Sequence, residues 1–305
     1  MRFHDQPRQL DYVQRVNRAL DHITRHLAGD LRLEEVARAA DFSPFHFHRV
    51  FKALVGESLA QFVKRLRLER AARAIVHMPG KPLTEIALEC GFSSSSDFSR
   101  SFKGHYGVPP SHFDGAALRA KQRDELEATI RATGGPHQLQ ELPAGANPDG
   151  FEVELRHIPA RSVAYVRVLN PYRSGEAVLD AYRLLMEWAE SRGVQDQQWL
   201  GYQWEDPELV ALEDCRYDVA VEVDEVEPSG PIGRYDFPAM QVAQVKIAGD
   251  SALELRAFDW LFHTWLPRSG FVPAHLPAFE AWIGRPFEHG LEHFTLALQL
   301  PVRRP

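Results

Sequence analysis

Two stretches, LEEVARAADFSPFHFHRVFKALVGES (Leu33–Ser58) and LTEIALECGFSSSSDFSRSFKGHYGVPP (Leu83–Pro110), carry the same phrase about fifty residues apart. Leu33 aligns with Leu83, Val36 with Ile86, Ala37 with Ala87, Phe42 with Phe92, Phe51-Lys52 with Phe102-Lys103, and Gly56 with Gly107. In the first copy Leu33, Val36, Ala37 and Ala40 recur at helical spacing, and Ser43 is an N-cap for a second helix buried through Phe47, Val50, Phe51 and Leu54. In the second, Leu83, Ile86, Ala87 and Cys90 lead to Gly91, suited to a left-handed helix end, and Ser94 or Ser95 opens a helix buried through Phe98, Phe102 and Tyr106. Two short helices at a tight turn make a helix-turn-helix, whose second helix fits a major groove.

Between the copies, Ser58 to about His77 contains no Gly or Pro, and Leu59, Phe62, Val63, Leu66, Ala71, Ala74 and Ile75 repeat at helical spacing. Such a helix is roughly 30 Å long. A turn of B-DNA is about 34 Å, so a rod of this length would set two reading heads in successive major grooves of one duplex face. A further helix, about Asp11 to Leu27, places Val13, Val16, Leu20, Ile23 and Leu27 on one stripe as a scaffold for the first motif.

The pattern Ile86-Ala87, Gly91-Phe92, Phe98-Ser99-Arg100, Phe102-Lys103, Gly107 and Pro109 resembles the signature of the AraC/XylS family of bacterial transcription regulators, over roughly residues 10–113. Asp41 departs from it, standing where that family has the turn glycine that Gly91 supplies in the second copy; Asp tolerates a left-handed backbone better than most residues. The resemblance implies double-stranded DNA as partner, with RNA polymerase beside it. It assigns base edges and phosphates to Phe45, His46, His48 and Arg49 of the first reading helix, and to Ser95, Ser96, Asp97 and Arg100 of the second. For a helix without that context, Phe45 capping the core and solvated histidines would be the simpler reading. The second helix is chemically thinner, so the first is expected to discriminate sequence and the second to anchor backbone. Lys64, Arg65, Arg67, Arg70 and Arg73 of the linker helix read as a solvated face paired in part to Glu69, whereas the amides after Ser43 and Ser94 are the expected phosphate contacts.

Composition fits this division. The 305 residues are 44% apolar and 25% charged, with no apolar run near a membrane-spanning length and no signal-peptide pattern after Met1, so a cytoplasmic, membrane-free protein is expected. Cys90 and Cys215 read as buried thiols. The net charge of −7 is unevenly spread: residues 1–115 carry 17 Lys+Arg against 13 Asp+Glu, and 151–305 carry 14 against 24. Only the first half has a balance suited to phosphate. Beyond Pro109-Pro110 a short helix around Ser111–Arg119 is expected, then a charged helical patch, then TGGPHQLQELPAGANPDG, whose Gly, Pro, Asn and Asp mark an exposed linker.

A second duplication follows. Ile158–Val168 matches Phe237–Ile247 at offset 79, while Trp188…Gly193 matches Trp265…Gly270 and Tyr217–Val223 matches Phe294–Leu300 at offset 77. Each copy reads strand, helix, strand, strand, with helices at about Glu176–Arg192 and Ser251–Leu266 and strands at Val163–Leu169, Trp199–Trp204, Arg216–Val223, Val242–Ile247, Phe279–Ile283 and Phe294–Leu300. The fold class expected is thus an all-α DNA-binding domain of two helix-turn-helix motifs joined by a linker helix (8–115), a helical extension and linker (116–150), and an α+β domain of two strand-helix-strand-strand repeats (151–305) with a cleft at their junction.

Gly201-Tyr-Gln-Trp-Glu-Asp-Pro-Glu, Cys215-Arg-Tyr-Asp-Val, Gly233-Arg-Tyr, Trp265-Leu-Pro-Arg-Ser-Gly-Phe and Pro277-Ala-Phe-Glu-Ala-Trp resemble the GyrI-like effector-binding domain, although Asn170-Pro171-Tyr172 stands where Gly-Pro-Tyr is commoner. The resemblance implies a small organic effector, with Glu280 as its partner. Strand parity pairs Tyr202 with Trp204 and Glu280 with Trp282, and the duplication is expected to bring both pairs together. Tyr172, Tyr202, Trp204, Trp265, Phe279, Glu280 and Trp282 are the expected effector residues, suited to a flat or cationic molecule. Left open is a core role for Tyr202, Trp204 and Trp282, with Glu280 paired to an arginine. No cofactor is implied. His289 and His293 are four apart, but Gly290 lies between them and no acid or thiol supports a metal site. Two alternatives to an effector-controlled regulator remain: a small hydrolase using Glu280 with Tyr202 or Tyr172, and a constitutive DNA-binding protein whose acidic half binds another protein.

Overall fold

The computed structural model describes residues 7–132, 143, 145–174, 176–224, 230–288 and 293–305. The chain forms two compact units, with the main division between Ala117 and Leu118.

The helical unit contains α1 (Pro7–Arg25), α2 (Leu33–Ala39), α3 (Pro44–Val55), α4 (Leu59–His77), α5 (Leu83–Glu89) and α6 (Ser95–Tyr106). The caps follow from the residues. Ser43 accepts from the His46 amide and Pro44 holds the first helical position of α3, Gly56 ends α3 at φ 93°, Ser94 accepts from the Asp97 amide, and Gly107 ends α6 at φ 78°. Ser58 and Gln61 cap each other's backbone at the start of α4. At the two equivalent turns, Gly91 adopts φ 88° and Asp41 φ 53°, so the aspartate does take the left-handed backbone in the first motif. There its carboxylate accepts from Arg18 at 2.7 Å.

The linker helix serves two cores from different faces. Leu59, Phe62, Val63 and Leu66 bury into the first motif with Phe47 and Phe51. Leu68, Ala71, Ala72 and Ala74 bury into the second with Phe98 and Phe102. A helix apolar on both faces is what a rod between two cores needs. Its positive run is only partly solvated. Arg65 is held by Glu57 and Glu69 at 2.6 and 2.9 Å. Arg67 donates to the carbonyls of Leu27 and Gly29 at 2.9 and 2.6 Å, closing the turn after α1. Beyond α6, a single turn at Pro110–His112 is followed by one continuous helix, α7 (Gly115–Ala132), where a short helix and a separate charged patch were expected.

The second unit adds β1 (Glu154–Ile158), β2 (Arg161–Leu169), α8 (Glu176–Arg192), β3 (Trp199–Gln203), β4 (Arg216–Glu222), β5 (Gly233–Phe237), β6 (Met240–Gly249), α9 (Ser251–Trp260), α10 (Leu266–Ser269), β7 (Val272–Pro273), β8 (Ala278–Trp282) and β9 (Phe294–Arg303). A π-turn at Leu261–Trp265 separates α9 from α10. Pro267 accounts for it, since a proline cannot donate to the carbonyl four residues back and its ring displaces that carbonyl. Among the described residues the antiparallel sheet runs β1-β6-β9-β8-β3-β4-β2-β5, with β7 on β9. This order is symmetric about the β3–β8 pair, and each repeat lends its first strand, β1 or β5, to the other repeat.

That exchange forces a curl. Pro159-Ala160 joins β1 to β2 and Pro238-Ala239 joins β5 to β6, each linking opposite ends of the order, which in a flat sheet would lie about 29 Å apart. Two residues span roughly a third of that distance. The sheet therefore bends into a half-barrel, and Phe237 of β5 meets Phe279 of β8 at 5.0 Å across its inside. Tyr165, Tyr202, Trp204, Tyr235 and Phe279 fill that inside. Helix α8 covers the outer face, where Tyr182 packs on Trp199 at 5.4 Å.

Candidate nucleic-acid interface and ligand groove

The start of α3 projects Phe45 into solvent, 77% exposed, so it does not cap the core. An exposed ring on a reading helix is the kind of group that meets a thymine methyl. His46, His48 and Arg49 are exposed beside it, as are Ser95, Ser96 and Arg100 on α6, while Asp97 is half-buried at the first turn of α6. His46 rests against Tyr12 and Phe42 at 5.5 and 5.2 Å, which fixes its direction. Neither Arg49 nor Arg100 has a carboxylate partner among the described residues, and Lys64 on α4 has none either. One open groove of about 850 Å³ touches His48 of α3, Lys64 and Arg67 of α4, and Gly91 and Asp97 of the second motif. The two reading helices thus border a common depression and do not face opposite sides of their unit.

In the second unit a buried polar cluster lies at the centre of the sheet, where the cleft between the repeats was expected. Register pairs Gly201 with Glu280 and Tyr202 with Phe279 across β3 and β8. Glu280 therefore points to the outer, helix-covered face together with Gly201, Gln203 and Trp282. The Tyr217 hydroxyl from β4 donates to Glu280 Oε2 at 2.5 Å. A Cβ at Gly201 would collide with that hydroxyl and that carboxylate, so glycine makes the pair possible. Tyr172, in the turn after left-handed Asn170, donates to Gln203 Oε1 at 3.1 Å. Glu254, in the first turn of α9, feels the charge of Glu280, and its buried Oε1 has no hydrogen-bond partner among the described residues. Burial pushes Glu280 up to about 7, although the Tyr217 hydrogen bond pulls the other way. Glu254 is raised well above the usual carboxylate range, first by burial and then by Glu280. Burial and the same glutamate hold the Tyr217 proton in place. Two desolvated carboxyls side by side favour a positive guest.

Four expected effector residues are elsewhere. Tyr202, Trp204 and Phe279 line the inside of the half-barrel, because their parity is opposite to that of Glu280. Phe279 is Glu280's direct neighbour and cannot share its face. Trp204 donates its indole N–H to Asp218 at 2.8 Å, and Arg167 grips the same carboxylate at 2.7 and 2.8 Å, so this ring belongs to a buried polar network. Trp282 keeps the face of Glu280 but is buried against Phe287 and Phe294. Trp265 lies in the π-turn and stacks on Phe271 at 6.3 Å. Of the seven, Tyr172, Glu280 and Trp282 belong to the side of the sheet that carries this cluster, and Tyr217, Gln203, Gly201 and Glu254 join them. His289 and much of the expected linker (133–142 and 144) lie outside the described residues.

A second cluster of charge sits on the same unit. Glu208 forms an ion pair with Arg119 at 3.0 Å and accepts from Arg123 at 2.7 Å, and Arg123 also donates to Asp259. His263 sets Nδ1 2.9 Å from Asp259 and Nε2 3.2 Å from Glu208. Burial alone would lower His263, but its hydrogen bonds to both carboxylates raise it above the ordinary histidine value. Glu208, Asp259 and His263 have metal-ligand spacing, yet two guanidiniums already balance the two carboxylates.

A pair of capped, exposed reading helices on a double helix-turn-helix, followed by a duplicated half-barrel with a buried pair of carboxyls, defines the class of DNA-binding transcription regulators with a small-molecule-binding domain. Comparison with known proteins agrees. A family model described as "Helix-turn-helix domain" matches residues 36–116, and one described as "GyrI-like small molecule binding domain" matches residues 151–303. The chain belongs to the AraC-type helix-turn-helix regulators and carries a GyrI-like small molecule binding domain. It is 35% identical over 99 residues to the HTH-type transcriptional regulator YbfP of Bacillus subtilis, a match covering 32% of this chain and 33% of YbfP. It is 33% identical over 126 residues to the TetD protein of transposon Tn10 from Escherichia coli, covering 39% of this chain and 87% of TetD. The solved C-terminal domain of EcmrR matches 51% of this chain and 99% of its own length at 15% identity, with a TM-score of 0.41. No described helix is long and apolar enough to cross a membrane.

Proposed function

We propose that this chain is a sequence-specific regulator of transcription whose affinity for double-stranded DNA is set by a small organic cation held in the groove over Glu280. The observation that carries this reading is the pairing, in one chain, of two reading helices that border a common depression with a desolvated glutamate at the centre of the second unit's sheet. Phe45, His46, His48 and Arg49 contribute base discrimination, and Ser95, Ser96, Asp97 and Arg100 contribute mainly to backbone anchoring. In the groove, Glu280 supplies the counter-charge, Tyr217 orients it, and Tyr172 with Gln203 offers a neutral polar edge. Bound to DNA, the protein meets RNA polymerase at the promoter.

Genome-wide footprints taken with and without a panel of lipophilic cations test the reading. Discrete sites whose occupancy changes with a cation are expected. Sites that ignore every cation, in a chain that also fails to bind them, would favour a constitutive DNA-binding protein.

The Tyr217–Glu280 bond supports a second reading, a hydrolase in the same groove. An acid and a phenol 2.5 Å apart can act together on a reactive small molecule. The pairing differs from the sequence expectation, since Tyr202 is on the other side of the sheet. Turnover of activated epoxides or esters, lost in Glu280→Gln, would establish it.

A further inference from the structure

The cluster of Arg119, Arg123, Glu208, Asp259 and His263 has no part in the floor of the groove, yet both acidic partners of Arg123 come from elements that border it. Glu208 lies in the loop that continues β3, the strand carrying Gly201 and Gln203. Asp259 is on α9, five residues beyond Glu254 in the groove, and His263 follows in the π-turn. The two arginines are four apart on α7, on one face with the buried Gln122 and Leu126. Their side chains are 21% and 15% exposed, that of Glu208 17% and that of Asp259 6%, which removes this network from the class of weak surface pairs.

Helix α9 also holds the far end of the connecting segment. Arg256 grips Asp149 through two bonds of 2.9 Å, and Trp260 packs on Phe151 at 5.7 Å. The run from α7 to Phe151 is thus held on α9 near both its ends. An α-helix moves as a stiff body over so short a span, and the π-turn at Leu261–Trp265 interrupts its hydrogen-bond ladder at the end away from the groove. A guest that shifts Glu254 therefore shifts Asp259 with it, and the balanced cluster responds because Arg123, Glu208, Asp259 and His263 are each shared between two or more partners.

We propose that this five-residue cluster is the joint through which occupancy of the groove is passed to α7, and through α7 to the DNA-binding unit from which that helix continues. The proposal rests on the reading of the groove as a cation site. It assigns Arg119 and Arg123 a coupling role distinct from binding either partner.

The test uses the full chain, tetraphenylphosphonium as probe and a duplex selected in vitro from a random pool. Calorimetry measures the probe, and DNA affinity is measured with and without it. In the native chain the probe should change DNA affinity by about fivefold or more. In Arg119→Gln/Arg123→Gln, probe affinity and probe-free DNA affinity should each stay within about twofold, while the coupling factor falls below about twofold. The Arg119→Lys/Arg123→Lys chain should keep part of it. Intact coupling in the double glutamine variant overturns the proposal, as does native DNA affinity that ignores a bound probe. Should the glutamine variant fold poorly, hydrogen exchange of residues 118–132 in the native chain decides the matter: protection that changes with the probe supports the joint, and unchanged protection refutes it. A native chain that binds no cation at all refutes the groove reading itself, an outcome calorimetry separates from loss of coupling.

Discussion

Carrying the protein from pH 6 to pH 8 should tighten its hold on a lipophilic cation about tenfold, and replacing Glu280 with glutamine should abolish that dependence. The magnitude follows from the groove floor. Burial lifts Glu280 to about 7, against an ordinary 4.5, and burial together with Glu280 itself raises Glu254 well above the usual carboxylate range. The two carboxyls titrate as a pair, and the pair gives up its first proton near neutrality. The carboxylate presented to a cation then grows from about a tenth of molecules at pH 6 to about nine tenths at pH 8. A solvated glutamate would be ionised throughout and would give a flat profile. Glu280→Gln keeps the shape, removes the charge, and should cost a cation about 2–3 kcal/mol, or 30- to 150-fold, while a neutral aromatic of similar size loses little. Stability should move oppositely to affinity. A carboxyl whose folded value is raised binds its proton more tightly when folded, so the sheet unit should lose stability as pH rises from about 4.5 through about 7, and Glu280→Gln should lessen that loss. Titration calorimetry across five pH values, with thermal unfolding alongside, measures both. Cation affinity in the native chain that is level between pH 6 and 8, or that keeps its slope in Glu280→Gln, would refute the assignment of the charge.

Gly201→Ala should drive a methyl into the Tyr217 hydroxyl and Glu280, lowering the melting temperature of the sheet unit by the equivalent of about 1–3 kcal/mol and weakening cation binding, with DNA affinity unchanged. The two motif turns should respond differently to substitution. Asp41→Gly relieves a left-handed side chain and should gain about 0.5 kcal/mol despite losing a mostly exposed ion pair, whereas Gly91→Ala adds strain and a 2.9 Å approach to the Ala28 carbonyl and should cost more than about 1 kcal/mol; equal effects in chemical denaturation would contradict this account. His48→Ala should loosen operator preference more than Ser96→Ala in a selection from random duplexes, and the reverse order would reassign discrimination to the second motif.

Much of the helical unit was legible because its signals are local. Ser43-Pro44, Ser58 with Gln61, Ser94, Gly56 and Gly107 each state a helix end within four residues, and the apolar spacing between them states the buried side. Even the departure at Asp41 was readable, since the backbone it must adopt is a property of the turn. The sheet was less legible. Strands β1 and β5 went unpredicted: Glu-Leu-Arg-His-Ile is an edge strand with Leu155 46% exposed, and neither strand pairs within its own repeat. Parity correctly set Tyr202 with Trp204 and Glu280 with Trp282. It could not say which face of one strand meets which face of the other, because that depends on the register across β3 and β8. Aromatic residues then misled, being as suited to a core as to a pocket, while Gly201 and Tyr217 gave no compositional signal of a site. Glu254 was hidden for a different reason, since its meeting with Glu280 exists only once α9 folds back over the sheet.

The register also explains how a symmetric scaffold makes an asymmetric site. Tyr202 and Phe279 are duplication mates at offset 77 and pair with each other, so the pseudo-two-fold passes between them. Gln203 and Glu280 are likewise mates, and each has a tyrosine hydroxyl, from Tyr172 and Tyr217 respectively. Had both positions been glutamate, three carboxyls with Glu254 would crowd one desolvated floor, and like-charge repulsion would keep most of them protonated near neutrality. With glutamine at one mate, the neutral half accepts and donates hydrogen bonds while the acidic half holds the charge. A guest that is cationic at one end and polar at the other satisfies both halves in a single orientation. An elongated amine bearing a distal amide should therefore bind Gln203→Leu more weakly than the native chain, whereas tetraphenylphosphonium, with no polar end, should bind the two alike. Equal losses for both ligands would mean that Gln203 merely supports the fold and that the two-fold confers no orientation.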